Sequence, residues 1–302
     1  MSSKAATSAL FLAGPTGCGK SSVAIALAEK IGPHAVIVNA DAFQIYRRLD
    51  ILTAAPSAAD KERVPHELYG ILDPSETCDA ARYARLAEEK IAELVANDCF
   101  PIVVGGSGLY IKALTHGLGP TPPGDPELRA GLDLLELDEL IARLEKVDPI
   151  GAAETNRKNR RYVTRNLEIS ILSGVPASTL KRDFENSAPK FNGVFLTRDR
   201  ELLYERINRR TQEMFAEGVV DEVKNAGELS TTSEKAIGLR EIRQLIAGDL
   251  SEADCIELIQ QATRKYSKRQ RTWFKREKGF ETIEICESKT AAQIADQISL
   301  KS

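Results

Sequence analysis

Eight residues near the start of the chain have the clearest chemical potential. They read Gly14-Pro-Thr-Gly-Cys-Gly-Lys-Ser21 and match the phosphate-binding pattern G-x-x-x-x-G-K-[ST]. Glycines let the backbone curl so that several N–H groups face one anion, and Lys20 adds a full charge. Ser21 can hold a magnesium ion against the same phosphates. The pattern predicts a site for linked phosphates, and a Gly-rich turn before an ordinary helix is the plainer alternative.

Asp41 is the second group that could do chemistry. It directly follows a β-branched run, Ala35–Asn39, so we expect it at the carboxyl end of a strand and facing the phosphate loop. A carboxylate in that position can be a magnesium ligand or a general base. An ATP-hydrolysing protein would use such an acid to hold the metal. The sequence pattern leaves both roles open.

Arg206 and Arg210 stand four residues apart on a predicted helix and so share a face. Two guanidinium groups on one face suit a two-armed grip on a diphosphate. The alternative is that they pair with the neighbouring acids Glu205 and Glu213. Spacing does not decide between a ligand site and these ion pairs.

Positive charge is concentrated in two segments, although the formal net charge of the chain is -3. The first segment is 157–165, and the second, 264–278, interleaves Tyr266, Trp273 and Phe274 with its basic residues. Such surfaces suit a polyanion, in particular a nucleic acid. Solvated helix faces are the alternative for either segment alone.

The elements that must position these groups alternate between strands and helices in the first third of the chain. Short apolar runs predict strands at 10–12, 35–39 and 100–104, and helical spacing of apolar residues predicts a helix over 80–96. This alternation is typical of an α/β fold with a parallel sheet covered by helices on both faces. Ligands of such sheets collect beyond the carboxyl ends of the strands. We therefore expect three stretches to converge at one edge: the phosphate loop, 41–44 and 105–108.

The character of the chain changes in its middle, after a stretch rich in proline and glycine that cannot continue a helix. Helices are predicted over 127–146 and 160–173, and a strand at 193–197 restores the sheet pattern. We expect a helical insertion in an α/β core. The predicted core is 1–117 with 190–302, and the predicted insertion is 118–189.

Composition limits the class and location of the protein. With 302 residues, 42% of them hydrophobic, the chain can bury a substantial core. No apolar run approaches the ~20 residues of a membrane span, and the first residues lack the apolar stretch of a secretory signal. The five cysteines form no C-x-x-C pair, so neither a zinc site nor a disulfide framework is expected. We expect a cytoplasmic protein with no membrane segment.

Eight motifs follow one another along the chain: GPTGCGKSS at 14–22, DAFQIY at 41–46, TAAP at 53–56 with VPH at 64–66, VGGSGLY at 104–110, RNLE at 165–168, RINRR at 206–210, KAIGLR at 235–240 and ATRKYSKRQRTWF at 262–274. In this order they resemble the motifs of the tRNA dimethylallyltransferases, also called tRNA isopentenyltransferases. The ordered set covers nearly the whole chain and is far more specific than the phosphate loop alone. The absence of a Cys/His pair in the tail resembles the bacterial form of the family.

The resemblance implies transfer of a dimethylallyl group from dimethylallyl diphosphate to N6 of adenosine 37, beside the anticodon of tRNA. It also implies a P-loop NTPase-like core, dependence on Mg²⁺, and an insertion that binds the anticodon arm. The expected partners are tRNA and dimethylallyl diphosphate, and we expect a monomer.

Most of the proposed site residues are carried over from matching motif positions, and Arg129 and the 161–165 segment are assigned as groups of the insertion that would bind backbone phosphates. The resemblance, together with the chemistry of the reaction, makes Asp41 the base that removes a proton from N6, with Thr16 and Arg206 as further catalytic groups. Diphosphate binding is assigned to Gly14, Thr16, Gly17, Cys18, Gly19, Lys20, Ser21, Arg206 and Arg210, and Ser21 is the expected metal ligand. tRNA binding is assigned to Asp41, Ala42, Phe43, Gln44, Ser107, Arg129, Arg161, Tyr162, Val163, Thr164, Arg165, Lys235, Arg240, Lys268, Arg269, Gln270, Arg271, Thr272, Trp273, Phe274 and Lys275.

Five positions depart from the usual family residue. Ala42, Ala55, Glu67, Tyr162 and Leu239 stand where the family usually has Ser, Lys, His, Arg and Tyr, respectively. Each departure removes a polar contact, but none removes the proposed base or the phosphate grip. We therefore expect the reaction to survive, with altered substrate affinity or base selection.

Two other functional classes are compatible with the phosphate loop. One is a P-loop kinase or ATPase acting on a small metabolite, which stoichiometric ATP turnover without tRNA would favour. The other is a non-catalytic RNA-binding protein, for which tRNA binding without prenyl transfer would be the sign. A prenyl transferase for free adenine nucleotides is a close variant of the main hypothesis, and the two basic segments count against it.

Overall fold

The computed structural model describes residues 7–119, 121–185 and 191–298. In these residues six strands form one sheet with the order β3-β2-β4-β1-β5-β6, and all its pairs are parallel. The strands are β1 Leu10–Ala13, β2 Ala35–Asn39, β3 His66–Glu67, β4 Phe100–Gly105, β5 Asn192–Arg198 and β6 Phe280–Ile285. Ala13, the last residue of β1, pairs with Gly105 on one side and with Phe195 on the other. The strands next to the centre therefore end close together at one edge.

The helices, in chain order, are α1 Lys20–Ile31, α2 Asp50–Thr53, α3 Ala58–Arg63, α4 Ala80–Ala96, α5 Gly108–His116, α6 Pro126–Asp133, α7 Leu137–Val147, α8 Pro149–Glu154, α9 Arg160–Ser173, α10 Ala177–Glu185, α11 Arg200–Ala216, α12 Val219–Lys224, α13 Leu239–Ala247, α14 Glu252–Phe274 and α15 Ala291–Ala295. A short 3-10 helix covers Ser233–Lys235. None of the helices described is long and apolar enough to cross a membrane.

The sheet is covered on both faces because alternate side chains of each strand point to opposite sides. Phe11 belongs to one buried cluster, together with Tyr83 and Ile91 of α4. Leu12, the next residue of β1, belongs to a second cluster, which includes Leu27 of α1. The α/β prediction is confirmed, and the helix over 80–96 has the predicted bounds. The strands β3 and β6 were not predicted.

The chain divides into two compact units, 1–115 with 190–302, and 116–189. The first unit holds the sheet. The second consists of helices around a small core of its own, which includes Leu140, Leu144 and Val163. The first boundary lies two residues before the predicted one, and the second lies at the predicted place.

The prediction of a single helix over 127–146 is wrong. The structure has two helices there, α6 and α7, and the chain turns between them. Arg160 explains the break, since its Nη2 donates to the carbonyl oxygens of Leu132, Asp133 and Leu135. Carbonyls at a helix end lack partners within the helix, so an arginine that binds them stabilises the termination there.

Candidate active site

The phosphate loop connects β1 to α1 and depends on its glycines. Gly17 and Gly19 have φ values of 84° and 99°, a region that L side chains rarely adopt. The Cys18 N–H donates to the carbonyl of Pro15, and burial raises the pKa of the Cys18 thiol. Among the described residues, three other N–H groups of the loop have no partner, those of Gly17, Gly19 and Ser21, while that of Lys20 interacts with the Cys18 thiol. These donors lie at the N-terminus of α1, where an anion is favoured.

The side chains of Lys20 and Ser21 are also without a hydrogen-bond partner in the part of the chain that the structure describes. Lys20 is half-buried and Ser21 is exposed, both on the first turn of α1. An ammonium group and a hydroxyl that no protein group occupies remain available to a bound phosphate. The Cys18 side chain is fully buried, so this residue offers the site only its backbone.

Two arginines flank the loop. The Nε of Arg206 donates to the carbonyl of Gly17 at 3.0 Å, and the Nε of Arg198 donates to the carbonyl of Cys18 at 3.3 Å. Burial, followed by repulsion from Arg198, lowers the pKa of the Arg206 guanidinium. Arg198 is a functional candidate that the sequence reasoning missed. The available signal was its position at the predicted carboxyl end of a strand.

Unlike Arg206, Arg210 has no hydrogen bond to the loop in the described residues, and its assignment to the diphosphate stays a prediction. It lines a cleft together with Asp41, and its Nε is buried without a hydrogen-bond partner in the described structure. Burial lowers the pKa of its guanidinium, and attraction to Asp41 opposes that shift. The alternative pairing with neighbouring acids is not seen, because it is Arg209 that lies near Glu213, at 3.6 Å.

Asp41 is buried at the carboxyl end of β2 and is fixed by its neighbours. Its Oδ1 accepts the N–H of Phe43 at 3.0 Å, and its own N–H donates to Oδ1 of Asn39 at 2.8 Å. Asn39 is in turn held by the carbonyl of Leu68. Within the described residues, Oδ2 of Asp41 has no partner. One carboxylate oxygen is thus anchored, and the other is available to a ligand.

The cleft beside Asp41 encloses about 580 Å³, part of which is continuous with solvent. Its polar lining comes from Thr16, Asp41, Thr53, Arg210, Thr263 and Tyr266. Its apolar lining comes from Phe43, Leu52, Ile207, Met214, Ile237 and Ile259. Burial and the charge of Asp41 raise the pKa of the Tyr266 phenol, so this group is a neutral donor at physiological pH. An uncharged group with a few polar atoms fits such a lining.

Other residues predicted around Asp41 are half-buried. Gln44 donates both amide hydrogens to the carbonyls of Thr53 and Ala54, which leaves its Oε1 as an acceptor. Ala42 and Ser107 are half-buried, and the Ser107 N–H donates to the carbonyl of Ala40. The sequence correctly placed 41–44 and 105–108 at the same edge as the phosphate loop.

Gln270 of α14 joins two of these loops. Its Oε1 accepts the N–H of Thr16 at 2.9 Å, and its Nε2 donates to the carbonyl of Gly106 at 2.9 Å. A Cβ on Gly106 would lie 2.2 Å from Nε2, so a side chain at this position would displace the Gln270 amide. Gln270 is 5% exposed. Its predicted contact with tRNA stays a prediction, but the structure shows an amide already bound to protein.

The rest of the basic segment of α14 divides by face. Phe274 is buried and stacks on Phe195, and Trp273 packs against Gly108. Arg271 is half-buried. The exposed members are Lys268, Arg269, Thr272 and Lys275. The exposed face is basic, whereas the aromatic residues hold the helix on the core.

Two further predicted tRNA contacts precede α14. Lys235 and Arg240 are exposed, and Arg240 pairs with Glu241 at 2.8 Å. Exposed basic side chains suit contact with phosphates, but a surface ion pair contributes little energy. Both assignments stay predictions.

The predicted arginines of the insertion bind an acid. Arg129 donates to both carboxylate oxygens of Glu168, and Arg165 donates to one of them at 2.7 Å. Burial favours the neutral acid, but these hydrogen bonds outweigh it and lower the pKa of Glu168. The remaining predicted residues lie on two faces of α9. Arg161 and Tyr162 are exposed, and Val163 and Thr164 are buried.

Comparisons with known proteins agree with this geometry. The family described as IPP transferase matches residues 44–277. A tRNA dimethylallyltransferase of Akkermansia muciniphila is 45% identical over 289 residues, which are 96% of this chain and 97% of that protein. A second relative, tRNA dimethylallyltransferase 1 of Citrifermentans bemidjiense, is 43% identical over 89% of each chain.

Solved structures show the same fold. The tRNA isopentenylpyrophosphate transferase of Bacillus halodurans has a TM-score of 0.68 and 31% identity, covering 96% of this chain and 95% of its own. A eukaryotic dimethylallyltransferase acting on tRNA has a TM-score of 0.75 and 26% identity, covering 92% of this chain and 74% of its own. The P-loop NTPase-like fold predicted from the sequence is confirmed. The chain belongs to the IPP transferase family, that of the tRNA dimethylallyltransferases.

Proposed function

We propose that this protein transfers a dimethylallyl group from dimethylallyl diphosphate to N6 of adenosine 37 in tRNA. Membership of the family supports this function. The structural observation that carries it is the cleft in which Asp41, Arg210 and Thr16 of the phosphate loop stand together with an apolar lining. Its apolar side chains suit a short hydrocarbon chain, and its polar groups suit a purine next to an anion site.

The phosphate loop would bind the diphosphate and neutralise the charge that builds on its bridging oxygen as the C1–O bond breaks. The donors available are the loop N–H groups without partners, Lys20, and the terminal nitrogens of Arg206. By analogy with other preorganised anion sites, each well-placed donor contributes about 3 kcal/mol to lowering the barrier. Gln270 supports this arrangement because it holds Thr16 in place.

Magnesium is part of the proposal. The described residues contain no group of three or more His, Cys, Asp or Glu side chains that could hold a metal. Mg²⁺ needs no such cage, since it keeps several waters and binds through substrate phosphates and one or two protein oxygens. The exposed Ser21 hydroxyl, with no protein partner described, fits that requirement. When bound there, the ion would neutralise charge on the diphosphate.

Asp41 would act on the acceptor. N6 of adenine is a weak nucleophile because its lone pair is delocalised into the ring, so it must lose a proton as the new C–N bond forms. Asp41 has one anchored oxygen and one without a described partner, and the second can take that proton. Base catalysis of this kind contributes about 10²–10⁴ in rate. Inorganic diphosphate leaves with the electrons of the broken C1–O bond.

The adenine must leave its RNA stack to enter the cleft. Extruding an unpaired loop base costs a few kcal/mol. The exposed basic face of α14 would hold the neighbouring backbone, and the exposed Arg161 and Tyr162 of the insertion would contact the anticodon arm. Contacts with phosphates predict that tRNA affinity falls as salt rises.

A direct test uses purified protein, dimethylallyl diphosphate, Mg²⁺ and an unmodified anticodon stem-loop with adenosines at 36 to 38. We expect mass spectrometry to show one dimethylallyl group on adenosine 37 and release of inorganic diphosphate. The matched control RNA carries guanosine at 37 and should stay unmodified. Transfer of the terminal phosphate of ATP to an acceptor, without prenyl transfer, would contradict the proposal and favour a kinase.

Location and assembly complete the proposal. An enzyme that modifies tRNA is expected in the cytoplasm, and we propose that it acts as a monomer. Light scattering of the active enzyme during chromatography should give the mass of a single chain. Activity found only in a dimer fraction would contradict the monomer.

A further inference from the structure

We propose that Arg198 is a diphosphate-binding residue and forms with Arg206 a two-armed grip beside the phosphate loop. This inference rests on the proposed function, because it names a group that binds the diphosphate of the donor and of the released product. The spacing of residues in the sequence suggests Arg206 and Arg210 as diphosphate ligands and does not reveal Arg198; Arg210 lines the cleft with Asp41 and Thr16.

Arg198 and Arg206 bind the loop in the same way. Each uses its Nε to donate to a loop carbonyl, that of Cys18 for Arg198 and that of Gly17 for Arg206. A Cβ atom added to Gly19 would lie 3.8 Å from Nη2 of Arg198 and 4.0 Å from Nη2 of Arg206. Two guanidinium groups from different elements, β5 and α11, thus converge on one position of the loop.

The terminal nitrogens of both arginines have no hydrogen bond or ion pair to any residue that the structure describes. Arg198 is nevertheless 8% exposed, and its charge lowers the pKa of Arg206 by repulsion, after the larger effect of burial. Two like charges without a counter-ion, one buried and one half-buried, are unfavourable. An anion between them removes that penalty, and planar guanidinium groups bind phosphate oxygens through paired hydrogen bonds.

The fold places Arg198 where a ligand is expected. It is the last residue of β5, which pairs with β1 at the carboxyl edge of the sheet, and the phosphate loop follows β1 at that edge. Arg209, on α11, is an exposed neighbour near Glu213 and offers a matched control.

The test is calorimetric titration of inorganic diphosphate with Mg²⁺ into full-length protein. Arg198→Gln keeps a donor for the Cys18 carbonyl but removes the charge, and we expect affinity to fall about tenfold or more. Arg198→Lys keeps the charge, and we expect a fall of only about threefold. Arg209→Met should stay within about twofold of wild type, and tRNA affinity should not change in any variant.

The two Arg198 variants separate ligand binding from support of the loop. If Arg198 only props the Cys18 carbonyl, Arg198→Gln should bind diphosphate at least as well as Arg198→Lys, and that result would overturn the proposal. Wild-type affinity in Arg198→Gln would overturn it as well. Because the probe is inorganic diphosphate, absence of prenyl transfer would reject the proposed function without affecting this result.

A second measurement needs only the wild-type chain. Inorganic diphosphate should protect Arg198 from modification by phenylglyoxal, as mapped by mass spectrometry, while Arg209 should stay reactive. Equal modification of Arg198 with and without diphosphate would overturn the assignment.

Discussion

The arginines beside the phosphate loop and those of the insertion have opposite surroundings. In the described residues, no acid pairs with Arg198 or Arg206, and both keep free terminal nitrogens. Arg129 and Arg165 instead share Glu168, whose side chain is fully buried. The same residue type therefore keeps terminal nitrogens available to an anion in one unit and joins helices through a shared acid in the other.

The difference shows that a basic cluster in a sequence does not define a site. What distinguishes the two clusters is whether an acid is available at the right distance. RNLE, the motif at 165–168, contains its own acid, whereas RINRR contains none, and the nearby Glu213 lies beside Arg209. The cleft also contains a carboxylate, that of Asp41. Asp41 forms no direct ion pair with Arg210 in the described structure, so it can still accept a proton.

Asp41→Asn should have the largest effect of the variants considered. The amide keeps the shape of the side chain but cannot take the proton of N6, so we expect kcat to fall about 10²–10⁴-fold. Binding of inorganic diphosphate should change less than about twofold. Single-turnover kinetics with a prenyl donor measure the first quantity and calorimetry the second. Unchanged turnover would remove Asp41 as the base.

Arg206→Met should lower kcat/KM for dimethylallyl diphosphate by about 10²–10³, since it removes a charged donor from the developing negative charge. The control is Arg209→Met. Arg209 lies on the same helix as Arg206 but is exposed and near Glu213, so we expect less than a twofold change. If both variants lose activity equally, the loss comes from the change in net charge and not from a contact of Arg206. That result would contradict the distinction between paired and unpaired arginines.

Glu168→Gln tests the other side of the comparison. It leaves Arg129 and Arg165 without a counter-charge, and we expect the insertion to lose about 3 kcal/mol of stability, the lower end of the range because both arginines are partly exposed. Hydrogen exchange of the α9 amides measures this locally. Glu139→Gln breaks the exposed pair with Arg143 and should cost less than about 0.5 kcal/mol.

The same carboxyl predicts a pH dependence. Folding lowers the pKa of Glu168 below its ordinary 4.5, so its stabilising effect is fully present above that value and is lost as the pH falls through the folded pKa. Wild-type exchange at α9 should therefore speed up in acid, and Glu168→Gln should lose most of this dependence. Equal pH profiles would contradict the ion-pair role.

Arg269→Ala should have the smallest effect. Arg269 is exposed on α14, and removing one phosphate contact is expected to weaken tRNA binding about threefold and to reduce the slope of log affinity against log salt by about 0.7–0.9. The loss should be larger at low salt. Lys61→Ala on α3 is the control, and a similar change there would show that α14 has no special role.

Local patterns in the sequence predicted the features that depend on neighbouring residues. The phosphate loop and the position of Asp41 are encoded in short runs, because a strand followed by glycines or an acid is a local arrangement. The contact of Arg198 with Cys18 joins residues 180 positions apart, and that of Gln270 with Thr16 joins residues 254 apart. The spacing of residue types along the sequence does not predict such contacts, because they depend on how β5 and α14 pack against β1.

The joint grip of Arg206 and Arg210 on a diphosphate stays a prediction. Arg206 is hydrogen-bonded to Gly17 of the loop, whereas Arg210 lines the cleft that Thr16 of the loop and Asp41 also line. In the insertion, the break between α6 and α7 depends on Arg160, which stands 25 to 28 residues further along the chain.

Hydrogen exchange of the wild-type chain with and without dimethylallyl diphosphate tests the central claim most directly. The donor should protect the amides of Gly17, Gly19 and Ser21, whose N–H groups have no described partner in the free protein, and leave α9 of the insertion unchanged. Protection at α9 but none in the phosphate loop, or protection of the loop by ATP and not by dimethylallyl diphosphate, would contradict the account.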